Sequence, residues 1–181
     1  ALSVPPGEYD VYAAVRERAA APDTKGAPAP KAALLKVALT VPNYWQSELM
    51  LSSIIVAEKV EPLTTPIPDV QAAENPYALG TTRLVPAADN RKFSKKDELS
   101  IVFLVYNYAI AETSKKPDVT VEYNFHQKVE GSEKFFNKTN PQNFNAETLP
   151  PQFDAATGHQ LVAGQSVPLA SFAEGEFRLE I

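Results

Sequence analysis

No cysteine occurs among the 181 residues. A disulfide framework, a thiolate zinc site and a cysteine nucleophile are thereby excluded. The absence fits the cytoplasm, and equally the bacterial secreted proteins that do without disulfides. Histidine is nearly as scarce. His126 and His159 are all the chain offers for proton transfer near neutral pH or for imidazole ligation. Clustered basic charge is missing too: the net charge is −5, with acidic and basic residues interspersed, so the surface lacks the patch that phosphate backbones require and no nucleic-acid partner is expected. No apolar run approaches the ~18 residues needed to cross a bilayer, so no transmembrane segment is expected. The longest run, residues 101–106, has the length of a buried strand. Glycine is outnumbered by proline, 7 to 16, and prolines at that density punctuate short extended segments and argue against long helices. The G-x-S-x-G elbow, the phosphate-binding glycine loop, H-E-x-x-H and the EF-hand spacing are all missing.

What is present is alternation. The hydrophobic share of 44% suffices for a real core. Tyr9, Val11, Ala13 and Val15 alternate with polar or small residues, which predicts a strand with one buried face. Residues 19–31 read as a flexible proline- and alanine-rich loop, and Leu35, Val37, Leu39 and Val41 mark a second strand, so the two form a hairpin. Pro42-Asn43-Tyr44-Trp45 breaks the pattern as a junction. Further strands are expected at 49–57, 81–85, 99–107, 118–129, 133–138, 167–171 and from Phe177 to Ile181. The proline-rich stretch 61–77 reads as an irregular loop with one helical turn at 70–74, and residues 140–158 as a polar segment with little regular structure. Strand 99–107 is apolar on both faces. Strand 118–129 puts Val119, Val121, Tyr123, Phe125 and Val129 inward and a polar face toward water. Many short strands without helical periodicity predict an all-β sandwich.

Two segments match: Gly7-Glu8-Tyr9-Asp10-Val11 and Gly175-Glu176-Phe177-Arg178-Leu179. Each follows a polar or proline turn and opens an aromatic–x–aliphatic strand. The repeat reads as a glycine turn feeding the penultimate strand of a sandwich. Tyr9 has the hydroxyl needed for a tyrosine-corner hydrogen bond; Phe177 does not.

Pro5-Pro6-Gly7-Glu8-Tyr9, together with Val167-Pro168-Leu169 and the string from Gly175 to Ile181, resembles the ends of bacterial extracytoplasmic immunoglobulin-like domains. There a P-x-G-x-Y-x-L strand is followed by one final strand. The chain also resembles the C-terminal regions of large bacterial proteins described as VWFA-related or GWxTD-containing. The resemblance implies a fold and an extracytoplasmic location (periplasmic, cell-surface or secreted), and brings no catalytic residues with it.

The expected architecture is therefore all-β: an immunoglobulin-like sandwich with an extra N-terminal β-hairpin from a preceding or permuted sandwich. Residues 1–42 supply the closing hairpin of a preceding domain, 43–48 a junction, and 49–181 a sandwich lacking its last strand. A start at Ala1 without methionine or signal peptide reads as a processed product, a fragment or the ordered part of a longer chain. An uncovered edge leaves backbone groups unpaired. The strand that covers it is expected from continuation of the chain, from a partner by strand addition, or from the hairpin at 8–41 packing on its own chain or on a neighbour.

Reactive chemistry is not expected. His126 and His159 read as surface histidines. Asp89, Asp97 and Glu98 offer oxygen ligands for calcium around the loop at 87–98, but match no specific calcium pattern and read more simply as a solvated loop. Asn137-Lys138-Thr139 has the form of a glycosylation sequon. The candidate contact residues are the outer face of strand 99–107 (Val102, Leu104, Tyr106), covered either by the loops at 58–80 or 140–165 or by a partner, the junction pair Tyr44 and Trp45, and the edge strand's Phe177, Leu179 and Ile181. Trp45 with Tyr44 reads as a wedge between domains or as a sugar-stacking platform. The expected function is a non-catalytic structural or protein-interaction module of a larger exported bacterial protein or assembly, meeting a protein partner or another copy through the open edge. The alternative is a carbohydrate- or ligand-binding accessory domain. No cofactor is implied.

Overall fold

A computed structural model of the chain describes residues 4–18, 30–68, 71, 74–87, 92–157 and 159–181. The chain divides into two units, residues 2–45 and 46–181.

The first unit is a two-stranded ribbon. β1 (Gly7–Arg16) pairs antiparallel with β2 (Ala32–Val41) in unbroken register, from Gly7 opposite Val41 to Arg16 opposite Ala32. Tyr9, Val11 and Ala13 lie across from Leu39, Val37 and Leu35, so one face of the ribbon is apolar. On the other, the Lys36 ammonium sits 2.9 Å from the Asp10 carboxylate and over the Tyr12 ring. The Tyr9 hydroxyl donates to the Pro5 carbonyl at 2.8 Å, the upstream closure characteristic of a tyrosine corner. The buried face expected from the alternation is instead exposed: Leu35 is 60% and Val37 49% exposed. The reason is architectural, since two strands alone have no second layer to bury against. Most of the expected loop at 19–31 lies outside the described residues.

The second unit is all-β, in facing antiparallel layers. One layer has the order β12-β7-β4-β6-β5, with β3 also on β7. Its strands are β3 (Met50–Leu51), β4 (Ile55–Pro62), β5 (Ala78–Leu79), β6 (Thr82–Pro86), β7 (Glu98–Tyr106) and β12 (Leu161–Pro168). The other layer holds β10-β9-β13 and the pair β11-β8: β8 (Val119–Val121), β9 (Asn124–Val129), β10 (Ser132–Lys138), β11 (Gln142–Phe144) and β13 (Phe177–Glu180). Helical structure among the described residues is limited to single turns, such as the 3-10 turns at Ala155–Thr157 and Leu169–Ser171 and at Gln71; the rest of the expected turn at 70–74 lies mostly outside the described residues.

Periodicity explains the core. Ile101, Phe103 and Val105 of β7 and Leu161, Ala163 and Val167 of β12 meet Val121, Tyr123, Phe125 and Phe144 from the facing layer. Each large side chain buried there contributes about 1.5–3 kcal/mol. Rings of Phe103 and Tyr123 lie 6.3 Å apart across the layers. The Tyr123 hydroxyl donates to Gln142 Oε1 at 2.8 Å, and the Gly164 amide donates to the same oxygen at 3.3 Å. Burial pushes the Tyr123 phenol up to about 12, because the phenolate would lose its water.

Three expected strands are corrected. The run 118–129 breaks at Glu122-Tyr123 into β8 and β9, which pair with different neighbours. The run 49–57 breaks at residues 52–54, where Ser52 Oγ accepts the Leu104 amide at 2.9 Å. The strand expected at 167–171 lies earlier, as β12, and gives way to a 3-10 turn. Its alternation is hidden by Gly164, which is required by packing: a Cβ there would sit 2.5 Å from the Ile101 carbonyl oxygen. The β9–β10 turn agrees with the sequence. Glu130 and Gly131 both have positive φ, 51° and 80°, the geometry of a two-residue type I′ hairpin.

Candidate functional site

The site grows out of β13. Gly175 has φ 145°, a conformation that side chains strongly disfavour, and it delivers Phe177 to the inner side of the strand. β13 then pairs with β9, Phe177 opposite Gln127, Arg178 opposite His126 and Leu179 opposite Phe125. Among the described residues β13 has no partner on its other edge. Phe177, Leu179 and Ile181 are half-buried and packed against the core. The Phe177 ring makes edge contacts with Phe136 and Phe172, at 5.1 and 5.3 Å. Phe136 reaches inward because β10 shifts register between Phe135 and Asn137; Phe135 stays 60% exposed.

Beside that edge a groove of about 890 Å³ opens between the layers. Ile54, Val56, Leu99 and Ile101 line one wall, and Phe125 and Leu179 the other. Lys92, Lys128 and Glu176 stand among the polar residues around it. Its walls carry apolar side chains with charged residues among them, and Phe177 and Leu179 bring it beside a strand whose other edge has no partner among the described residues. Those are the two requirements of strand addition, side-chain pockets and a free ladder.

The outer face of the same sheet is charged. Arg178 contacts Glu133 at 2.6 Å and Glu180 at 2.8 Å, holding the Glu180 carboxyl below its ordinary value. His126 is half-buried rather than a surface residue. Among the described residues its buried Nε2 has no hydrogen-bond partner and lies 3.7 Å from Glu180, while its ring meets Phe135 edge-on at 5.9 Å. At 3.7 Å the Glu180 contact is too long for a hydrogen bond.

The remaining expected contact residues are not gathered here. Val102, Leu104 and Tyr106 share the outward side of β7, and all three are half-buried. Tyr44 is half-buried and Trp45 is 90% exposed, its amide tied to Asn43 Oδ1 at 3.1 Å. His159 Nδ1 accepts the Asp154 amide at 3.1 Å and its ring leans on Phe153, so it fastens a loop. Asp97 accepts the Ser94 amide at 2.6 Å and closes a turn; Asp89 lies outside the described residues. Among the described residues no group of three potential ligands is placed to hold a metal ion, and no helix is long and apolar enough to cross a membrane. Ile54, Leu99 and Phe172 also line the groove and are not among the expected contact residues; Leu99 is in phase with Ile101, Phe103 and Val105 on β7, whereas Ile54 and Phe172 lie outside the strands.

Comparison of the chain with protein-family models, with curated proteins and with solved structures finds no match.

Proposed function

We propose that the chain is a non-catalytic structural or protein-interaction module of a larger exported bacterial protein or assembly, and that it acts by accepting a β-strand along β13. The single observation that carries this is the edge of β13, unpaired among the described residues, beside a groove with apolar walls. An immunoglobulin-like identity is supported by strand order. β4-β7-β12 follows the order A-B-E, and β10-β9-β13 the order C′-C-F, with the position beside F free. The modular character is supported by the repeated glycine–aromatic opening of β1 and β13 in separate units. The extracytoplasmic bacterial setting rests on the resemblance of those two openings to exported immunoglobulin-like domains.

The test is a labelled ten-residue peptide of alternating valine and threonine, titrated into the dilute full chain and followed by anisotropy. Saturable binding is expected, lost when a proline removes a ladder amide from the peptide. Absence of binding by any strand-forming peptide would sink the proposal.

One observation favours a second reading, a carbohydrate- or ligand-binding accessory domain: the chain's single tryptophan, Trp45, is 90% exposed, as a stacking platform requires. Its fluorescence then reports binding without interference from other tryptophans. Under this reading a glycan panel changes the emission saturably; a flat response eliminates it.

A further inference from the structure

We infer that a pocket on the outward side of the larger sheet binds a neutral saccharide. The inference rests on the carbohydrate-binding reading and moves its site away from Trp45; it is independent of strand addition at β13. The pocket, of about 710 Å³, opens where β4, the start of β7 and the end of β12 meet the segment 92–97. Its size falls within the roughly 300–1,000 Å³ of small-molecule sites.

Two features of the sheet build it. Ala57 lies opposite Pro86 and Lys59 opposite Val85, so Glu58 is the extra residue of a β-bulge. In a regular strand successive side chains alternate between faces. The bulge suspends that alternation, and the consecutive Glu58, Lys59 and Val60 all border the one pocket. The second feature is a pair of serines. Ser100 shares the outward side of β7 with Val102, and Ser166 of β12 lies directly opposite it. Their hydroxyls are 2.7 Å apart. Ser100 is only 7% exposed, a position where an apolar side chain would be the less costly choice. Whichever hydroxyl donates to the other, one proton is left that no acceptor takes among the described residues. A ligand in the pocket therefore meets a free O–H donor as well as acceptor lone pairs.

The walls select the class of ligand. Carboxylates of Glu58, Asp97 and Glu98 outnumber the ammoniums of Lys59 and Lys92, and Lys59 is already held by Glu61 at 2.7 Å. An anion such as phosphate is therefore disfavoured. A bare metal ion is not provided for either, since no three ligands converge among the described residues. An organic amine would use the carboxylates but leave Lys92 and the serine O–H unmatched. A sugar answers every group: its hydroxyls donate to carboxylates and accept from ammonium and serine. Its C–H face packs on an aromatic ring, and half-buried Phe93 stands at the border.

The experiment is isothermal titration calorimetry of the full chain with a panel of neutral mono- and disaccharides, and with inorganic phosphate and putrescine as charged comparisons. Saturable binding of at least one saccharide is expected, in the millimolar range or tighter, with neither charged probe competing. Ser100→Ala removes the buried hydroxyl and should weaken that binding about fivefold; Glu58→Gln, at an exposed position, should weaken it about tenfold or more. Far-ultraviolet circular dichroism checks that both variants stay folded. Trp45→Ala should leave the affinity unchanged. Binding that is lost in Trp45→Ala and untouched in Ser100→Ala and Glu58→Gln would overturn the pocket while retaining a carbohydrate site at Trp45. Absence of binding by every saccharide would overturn the pocket and the carbohydrate reading together. Tighter binding of phosphate or putrescine than of any saccharide would overturn the class of ligand inferred here.

Discussion

Gly7 and Gly175 stand in separate units with nearly the same φ, 154° and 145°, and each is followed two residues on by an aromatic, Tyr9 and Phe177. A side chain at either position is strained whatever space surrounds it, since this region of φ/ψ is essentially restricted to glycine. Gly175→Ala should destabilise the unit of residues 46–181 by ~1–3 kcal/mol, read from the denaturant midpoint. A Cβ there also meets Gln127 Nε2 at 3.2 Å. An unchanged midpoint would show that the turn has no special role.

Gly164 is a glycine for a different reason, close approach rather than backbone conformation. Its added Cβ would fall 2.5 Å from the Ile101 oxygen and 3.1 Å from the Val102 Cα, both backbone atoms that move only if β7 and β12 separate. Gly164→Ala should therefore cost at least as much as Gly175→Ala, at the upper end of the ~1–3 kcal/mol typical of overpacking. Equilibrium unfolding of the two variants side by side checks the order.

Tyr123 makes the fold sensitive to alkali. Its folded-state pKa is raised from 10.0 to about 12, so the native state holds the phenolic proton more tightly than the unfolded chain does. The stabilisation is complete below the unfolded value and is lost as pH rises from 10.0 toward 12. Tyr123→Phe should lower stability at pH 7 by about 1 kcal/mol, from the lost hydrogen bond to Gln142. It should also flatten the alkaline limb of a stability–pH profile.

Glu180 acts at the other end of the scale. Arg178 lowers its carboxyl, so its contribution is present above the ordinary carboxylate range and fades as pH falls through the depressed value. With the Glu180 side chain 51% exposed, the effect is small. Arg178→Ala should shift the acid midpoint upward slightly, and added salt should shrink the difference between variant and wild type.

Lys116 fastens the segment after β11. Its ammonium donates to the carbonyls of Pro150, Pro151 and Phe153 and lies over the Phe153 ring. Lys116→Met keeps the stem but removes the donors. Faster proteolysis within residues 145–157, at nearly unchanged global stability, is the expected outcome.

Strands with clean alternation or uniform apolar character were legible in the sequence. β1, β2 and the inward residues Val121, Tyr123 and Phe125 follow directly from period two, and β7 from its apolar run. What escaped was set by contacts distant in the chain. Gly164 interrupts the pattern of β12 because Ile101 crowds it, and β8 separates from β9 because Phe144 and Phe135 belong to different pairing partners. The ribbon's apolar face was visible in sequence, but its exposure was not, since alternation announces a surface that seeks cover and says nothing of whether the cover is present. For the site, Phe177, Leu179 and Ile181 were legible as an edge. Of the facing wall, Leu99 follows from its phase with Ile101 and Phe103, but Ile54 does not, because it lies between β3 and β4 rather than in a strand.

Hydrogen exchange resolved at each amide of β13, Phe177 to Glu180, measures the central claim most directly. In the dilute chain the amides that face β9 should exchange slowly and the alternate, outward ones fast, and all should become slow once a strand is added. Slow exchange at every β13 amide in the dilute, unmixed chain would contradict an open edge.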